Sequence, residues 1–191
     1  DSDEFDVMAG ATTAQAAAAV DALADFHARW WDADVPFEWM PGFDVTGVGG
    51  LQPFWLANLP TFVERYHSVL PGPTADWVLA FAPRLSAWSA RAAREPLTMV
   101  HSDYRIDNLL FQGDQVTMID WQTAMRAPAA MDLSCFITTS LSVVNRRANE
   151  ASLIDRYLAR LAMTGIVVDR SWFDQSYDEN VLWWMGQFGN N

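Results

Sequence analysis

The sequence predicts a mainly α-helical chain with a small β-hairpin element in its middle. Three observations carry that fold class. A capped, alanine-rich segment near the start repeats apolar residues at helical spacing, two short apolar runs flank the turn signal Gln112-Gly113-Asp114, and helical spacing returns after Pro128. With 191 residues and 51% apolar content, the chain suffices for one substantial domain with a real core and is short for two.

Thr12-Thr13-Ala14-Gln15 reads as a capping box, in which a threonine hydroxyl takes a backbone N–H of the first turn and the glutamine reaches back. Val20, Leu23, Ala24, Phe26 and Trp30 follow at helical spacing, so a helix is expected over residues 13–31. Pro36, Pro41 and Gly42 break the pattern, and residues 45–50 are expected as a loop. A second helix is expected over 53–69, interrupted near Pro60 and ended by Pro71-Gly72-Pro73. A third is expected over 74–94, with Trp77, Phe81, Leu85 and Trp88 along one face. The character changes at Pro96. Leu97-Thr98-Met99-Val100 reads as a short buried strand, and residues 108–111 and 116–120 as the two arms of a hairpin. Beyond Pro128, helices are expected over 129–147, 150–163 and 171–187. The single unit 1–191 thus divides into a helical part (1–95), a loop and hairpin (96–127) and a second helical part (128–191).

Composition narrows the function. Asp+Glu number 24 against Lys+Arg 12, a net charge of -12. Such a chain repels phosphate backbones and anionic lipid, so neither a nucleic acid nor a membrane is expected as a partner. All 12 basic residues are arginine. Schiff-base chemistry and the P-loop motif, both of which need lysine, are excluded. Cys135 stands alone and can form neither an internal disulfide nor a cysteine-based zinc cluster. No apolar run approaches the roughly 20 residues of a membrane span. Asp1-Ser2-Asp3-Glu4 is the opposite of a basic signal-peptide start, so a cytoplasmic location is expected.

The polar residues that matter cluster in the β element: His101-Ser102-Asp103-Tyr104-Arg105-Ile106-Asp107-Asn108, then Ile119-Asp120-Trp121-Gln122 across the hairpin. With the turn centred between Gly113 and Asp114, Asn108 faces Ile119 and Asp107 faces Asp120. Asn108 and Asp120 then lie within one rung of each other at the open end of the hairpin. An amide oxygen and a carboxylate converging there are hard ligands suited to Mg²⁺, with phosphate oxygens and water completing the shell. Asp103, on an irregular loop, reaches in from the side as a base.

At these residues the chain resembles a known family. H-x-D-x-x-x-x-N followed by a strand-borne Asp is similar to the catalytic loop and metal-binding Asp of the protein-kinase-like fold. The variant here, HSDYRIDNLLF with IDWQ in place of the DFG tripeptide, resembles the aminoglycoside phosphotransferase and choline-kinase-like branch, which phosphorylates small-molecule hydroxyls. Asp132, in Ala129-Ala130-Met131-Asp132-Leu133, stands where this branch places a helix-start Asp that braces the loop. Asp25 to Trp31 resembles the helix opening the C-terminal lobe.

The resemblance implies the following roles. Asp103 accepts or orients the proton of the attacking hydroxyl. Asn108 and Asp120 hold Mg²⁺ against the phosphates of ATP or GTP, and His101 supports the loop by packing and hydrogen bonding. Ser102 stands where the branch usually has Gly. The fold also needs an N-terminal lobe with a Gly-rich loop and a strand-borne Lys. This sequence has neither, and Gly47-Val48-Gly49-Gly50 follows no expected strand. The resemblance therefore implies the C-terminal lobe of a kinase-like α+β fold with its N-terminal lobe absent, and little or no activity for the chain by itself.

The expected activity is phosphoryl transfer from ATP or GTP to a small-molecule alcohol. The acidic balance suits an aminoglycoside or another amine-bearing alcohol, and the aromatic residues suit an apolar alcohol equally. The alternative is a kinase-like remnant that binds a ligand or partner without phosphotransfer. A metal-dependent hydrolase using Asp103, Asp107, Asn108 and Asp120 is a third reading. Asp107 reads as a solvated loop acid and Arg105 as a residue pairing with an acid of the loop rather than binding phosphate. His27 and His67 read as surface or satisfied core residues, Cys135 as a small core residue, and Glu150, Asp155, Asp174, Asp178 and Glu179 as solvated helix faces. The tryptophans read as core and lobe packing, some left exposed at a lost interface.

Overall fold

In the computed structural model, residues 10–33, 40–44 and 47–188 are described. Pro36, Trp39, Val45 and the terminal Gly189-Asn190-Asn191 lie outside the described residues. Helix α1 (Thr13–Trp30) starts at the expected cap: the Gln15 N–H donates to Thr12 Oγ1 at 3.2 Å, and the Thr12 N–H donates to Gln15 Oε1 at 3.0 Å. A 3-10 turn, Val48–Leu51, leads into α2 (Gln52–Arg65). Its glycines are tied to the helical core, since Ser86 Oγ donates to the Gly49 carbonyl at 2.9 Å.

Pro60 does not end α2. The carbonyl it leaves without an N–H partner belongs to Leu56, an exposed residue of α2. Pro83 has the stronger effect. The single helix expected over 74–94 is two helices, α3 (Gly72–Phe81) and α4 (Leu85–Ala92), joined by the 3-10 turn Ala82–Arg84.

Strand β1 (Thr98–Val100) is followed by the hairpin β2 (Leu109–Gln112) and β3 (Gln115–Met118), turning at Gly113-Asp114 with Gly113 at φ 60°. Leu109 faces Met118, and the Ile119 N–H donates to the Asn108 carbonyl at 3.0 Å, so Asn108 faces Ile119 in the expected register. A fourth strand, β4 (Met125–Ala127), pairs antiparallel with β1. The sequence reading passes over it because Met-Arg-Ala lacks the β-branched residues that mark a strand.

Three helices complete the chain: α5 (Ala130–Ser140), α6 (Val143–Met163) and α7 (Arg170–Phe188). The expected break between 147 and 150 falls instead at Leu141-Ser142, where Ser142 Oγ accepts the Asn145 N–H at 3.2 Å. Val143 and Val144, 66% and 76% exposed, carry the first turn of α6 and conceal that start from a search for amphipathic spacing.

Two apolar clusters lie on either side of α5. Leu23, Phe136, Tyr157 and Phe173 belong to the first, which joins α1, α5, α6 and the start of α7. Trp55, Leu85, Trp88, Trp183 and Trp184 belong to the second, built on α2, α3, α4 and the end of α7. Helix α5 supplies Leu133 and Ile137 to the first, and Met131 and Cys135 to the second. Each such fully buried Leu, Ile or Phe contributes about 2 kcal/mol of transfer free energy. Trp77, by contrast, is 64% exposed. No helix among the described residues is long and apolar enough to cross a membrane.

Candidate active site

The loop between β1 and β2 runs from His101 to Asn108 and ends in a 3-10 turn, Ile106–Asn108. Asn108, only 8% exposed, donates its side-chain N–H groups to the Asp103 carbonyl at 2.9 Å and to Asp103 Oδ2 at 3.0 Å. One amide thus orients the carboxylate, and its Oδ1 stays out of that contact. Asp120 comes next after Ile119, the residue facing Asn108. It is exposed and left-handed, φ 64° and ψ 62°, a conformation that the short polar side chain of Asp tolerates. Arg105 pairs with the acids of its own loop: its Nε lies 3.2 Å from Asp103 Oδ1, and its terminal nitrogen 2.7 Å from Asp107 Oδ2. Side chains this exposed gain at most about 1 kcal/mol from such pairs.

The loop is held from beneath by Asp132, fully buried in the first turn of α5, where the helix dipole favours a carboxylate. Its Oδ2 accepts the His101 N–H at 2.6 Å, and its Oδ1 accepts the Ser102 N–H at 2.8 Å. Ser102 is left-handed at φ 63°. That conformation costs a non-glycine residue about 1 kcal/mol, and two charge-assisted hydrogen bonds of about 1.5–3 kcal/mol each outweigh it. His101, also fully buried, donates from Nε2 to the Ile119 carbonyl at 2.7 Å and packs on Trp121, ring centroids 4.6 Å apart. Thr123 Oγ1 donates to the His101 carbonyl at 3.1 Å.

Sequence reasoning missed several supports. Tyr104 Oη donates to the Ala19 carbonyl at 2.8 Å, and the Ile106 N–H donates to Ser140 Oγ at 3.0 Å. Burial, then the nearby Asp132 charge, pushes the Tyr104 hydroxyl well above its ordinary range, so it remains a donor. An aromatic residue amid a polar loop is a usable signal for Tyr104; Ser140 offers none. The same burial raises the Cys135 thiol and leaves it inert in the core. Leu110 and Ile119, 53% and 38% exposed, form an apolar patch on the outward hairpin face beside Asn108.

Asn108 and Asp120 offer an amide oxygen and a carboxylate, a donor set that fits Mg²⁺. Among the described residues, no group of three His, Cys, Asp or Glu side chains converges to hold a metal ion. An ion here would draw its remaining ligands from phosphate oxygens and water.

A comparison with curated proteins finds no match. Several solved structures are similar. A glucosamine kinase in complex with glucosamine, ADP and inorganic phosphate is 20% identical, TM-score 0.53, over 94% of this chain and 50% of that one. A choline/ethanolamine kinase family protein from Mesorhizobium loti is 17% identical, TM-score 0.51, over 93% of this chain and 55% of that one. An aminoglycoside phosphotransferase from Streptomyces rimosus in complex with ADP and streptomycin is 20% identical, TM-score 0.51, over 90% of this chain and 65% of that one. At such identities the likeness shows a shared kinase-like fold. The chain spans about half the length of the first two and somewhat more of the third. A match over residues 5–172, which takes in the loop, the hairpin and the Asp132 brace, settles the family: the chain belongs to the phosphotransferase enzyme family.

Proposed function

We propose that this chain carries the catalytic half of a small-molecule kinase, which moves the γ-phosphoryl group of ATP or GTP to a substrate hydroxyl. The observation that carries the reading is the convergence at the open end of the hairpin, with Asp103 bonded to Asn108 and Asp120 one residue beyond Asn108's partner. In this reading the hydroxyl oxygen attacks the γ-phosphorus, the bond to the bridging oxygen of the departing diphosphate breaks, and the hydroxyl proton passes to Asp103. Asn108 and Asp120 hold Mg²⁺, which neutralises phosphate charge. His101 and Asp132 keep the loop in place, and Leu110 with Ile119 gives an apolar floor suited to a nucleotide base.

Family membership supports the reaction class. The ADP named with two of the similar structures supports a nucleotide donor, and the glucosamine and streptomycin named with them support an amine-bearing alcohol as acceptor. A net charge of -12 suits such a cation. Turnover is expected to need the part of those structures that this chain does not span.

Calorimetric titration with ATP and GTP, with and without Mg²⁺, tests the reading. Weak, Mg²⁺-dependent binding that Asp120→Ala abolishes is the expected result. Binding indifferent to both Mg²⁺ and Asp120→Ala would favour a ligand-holding module instead. In a chain extended to the length of its relatives, Asp103→Ala is expected to lower kcat by about 10²–10⁴-fold. An extended enzyme indifferent to that change sinks the role given to Asp103.

A further inference from the structure

Behind the loop lie two buried polar side chains that the proposed reaction does not use. His27 on α1 and Tyr157 on α6 are both fully buried. Tyr157 Oη lies 2.7 Å from His27 Nδ1, and His27 Nε2 lies 3.2 Å from Asp132 Oδ2. Three helices thus meet at one imidazole, directly beneath the carboxylate that receives the His101 and Ser102 N–H groups.

Hydrogen-bond satisfaction fixes the protons in this chain. Asp132 accepts two backbone N–H bonds as a carboxylate and offers no donor, so the nitrogen facing it must carry a hydrogen. Burial, then the Asp132 charge, pushes the Tyr157 hydroxyl well above its ordinary range, so it keeps its proton. That proton needs an acceptor, and the nitrogen beside it is His27 Nδ1. A doubly protonated imidazole would leave the Tyr157 proton without an acceptor in the interior, and the Nδ1–H form would set a bare lone pair against a carboxylate. Only the neutral Nε2–H form pairs every group.

We infer that His27 and Tyr157 are positioning residues for the catalytic loop. The Tyr157 hydroxyl donates to His27 Nδ1 and anchors the ring, the Nε2–H that Asp132 requires then fixes Asp132, and Asp132 holds the left-handed turn at Ser102 from which Asp103 is presented. The link to catalysis rests on the role proposed for Asp103, whereas the relay itself is a property of the chain alone.

Nitrogen-15 NMR of the histidine-labelled chain, with amide hydrogen exchange, tests it without any activity assay. The expected spectrum shows His27 in the Nε2–H form at neutral pH. Tyr157→Phe keeps the ring stacked on Phe173, centroids 5.5 Å apart, and removes only the hydroxyl. Asp132 still requires the Nε2 hydrogen in this variant, so the ring is expected to stay in the Nε2–H form while the nitrogen-15 signal of Nδ1, now without its donor, moves and exchange at the His101 and Ser102 amides speeds by about tenfold, with α2 and α4 unchanged. His27→Gln, which retains an N–H for Asp132, is expected to exchange at those amides like the unmodified chain, unlike His27→Leu. Finding His27 as Nδ1–H or doubly protonated, or those two amides unmoved in Tyr157→Phe, overturns the relay. In the extended enzyme Tyr157→Phe should lower kcat with little change in KM; if that enzyme transfers no phosphate, the catalytic reading fails and the NMR result still decides the relay.

Discussion

Asp132→Asn perturbs the loop at its foundation while preserving volume. The carboxylate is fully buried and receives the His101 N–H at 2.6 Å, the Ser102 N–H at 2.8 Å and His27 Nε2 at 3.2 Å. An amide has one oxygen. Keeping it on Ser102 turns the NH₂ group toward both His101 N–H and His27 Nε2–H; flipping it sets NH₂ against the Ser102 N–H. Either choice loses at least one charge-assisted bond, about 1.5–3 kcal/mol, and leaves donor facing donor in the interior, about 1–3 kcal/mol more. Removing a buried charge returns part of its desolvation cost, so the net loss is about 2–4 kcal/mol. For a urea slope of about 2–3 kcal/mol/M, that moves the unfolding midpoint down by roughly 1 M. Chemical denaturation followed by tryptophan fluorescence measures it. A loss below about 1 kcal/mol would refute the claim that Asp132 holds the loop by charge-assisted bonds.

Three further outcomes are expected. Gly186→Ala places a Cβ 2.2 Å from Cη2 and Cζ3 of Trp55, a ring fully buried and stacked on Trp183. Overpacking of about 1–3 kcal/mol exceeds the gain in helix propensity of about 1 kcal/mol, so thermal unfolding should come earlier, and a stabilised variant would contradict the packing. Ser102→Gly removes the strain of a left-handed residue, about 1 kcal/mol, and adds backbone entropy to the unfolded chain, about 0.4–1 kcal/mol; denaturation should find stability nearly unchanged, and a large loss would mean the Ser102 side chain does more than occupy the turn. Burial, partly offset by Arg91, raises the Glu95 carboxyl. Its cost to stability is absent below the ordinary carboxylate range, where both states bind the proton, and builds as pH rises through the raised value. Glu95→Gln should therefore raise the melting temperature at neutral pH, with the benefit fading in acid, and a pH-independent difference would argue against it.

The parts of the fold legible in the sequence are those whose signals are local. The capping box at Thr12 and Gln15 lies within four residues, and the hairpin register follows from a single turn at Gly113-Asp114. Pro60 and Pro83 look alike in sequence, yet one is absorbed within α2 and the other divides a helix. Strand β4 exists only through β1, whose Thr98 pairs with Ala127, and its own three residues carry no strand signal. In the site, the acids and amide were legible because one motif spaces them. Their supports were not: His27 meets Asp132 across 105 residues of chain, and Tyr104 meets Ala19 across 85.

That distance has a structural answer in the surface ion pairs. Arg156 binds Asp21 with both nitrogens at 2.6 Å, and Arg160 binds Asp25 at 2.7 and 2.8 Å. Both pairs are solvent-exposed, and each is worth about 1 kcal/mol at most. Their contribution is geometric. Two acids four residues apart on α1 meet two arginines four residues apart on α6, which fixes the axial register of one helix against the other. A slip of one turn, about 5.4 Å, would carry the Tyr157 hydroxyl out of reach of His27 Nδ1. The double substitution Arg156→Ala with Arg160→Ala removes the clamp and leaves the core unaltered. Loss of the arginines is expected to let the helices slip, seen as a shift of the His27 Nδ1 nitrogen-15 signal toward that of Tyr157→Phe; an unchanged signal would mean that the apolar contacts of Leu23, Leu153 and Tyr157 set the register instead.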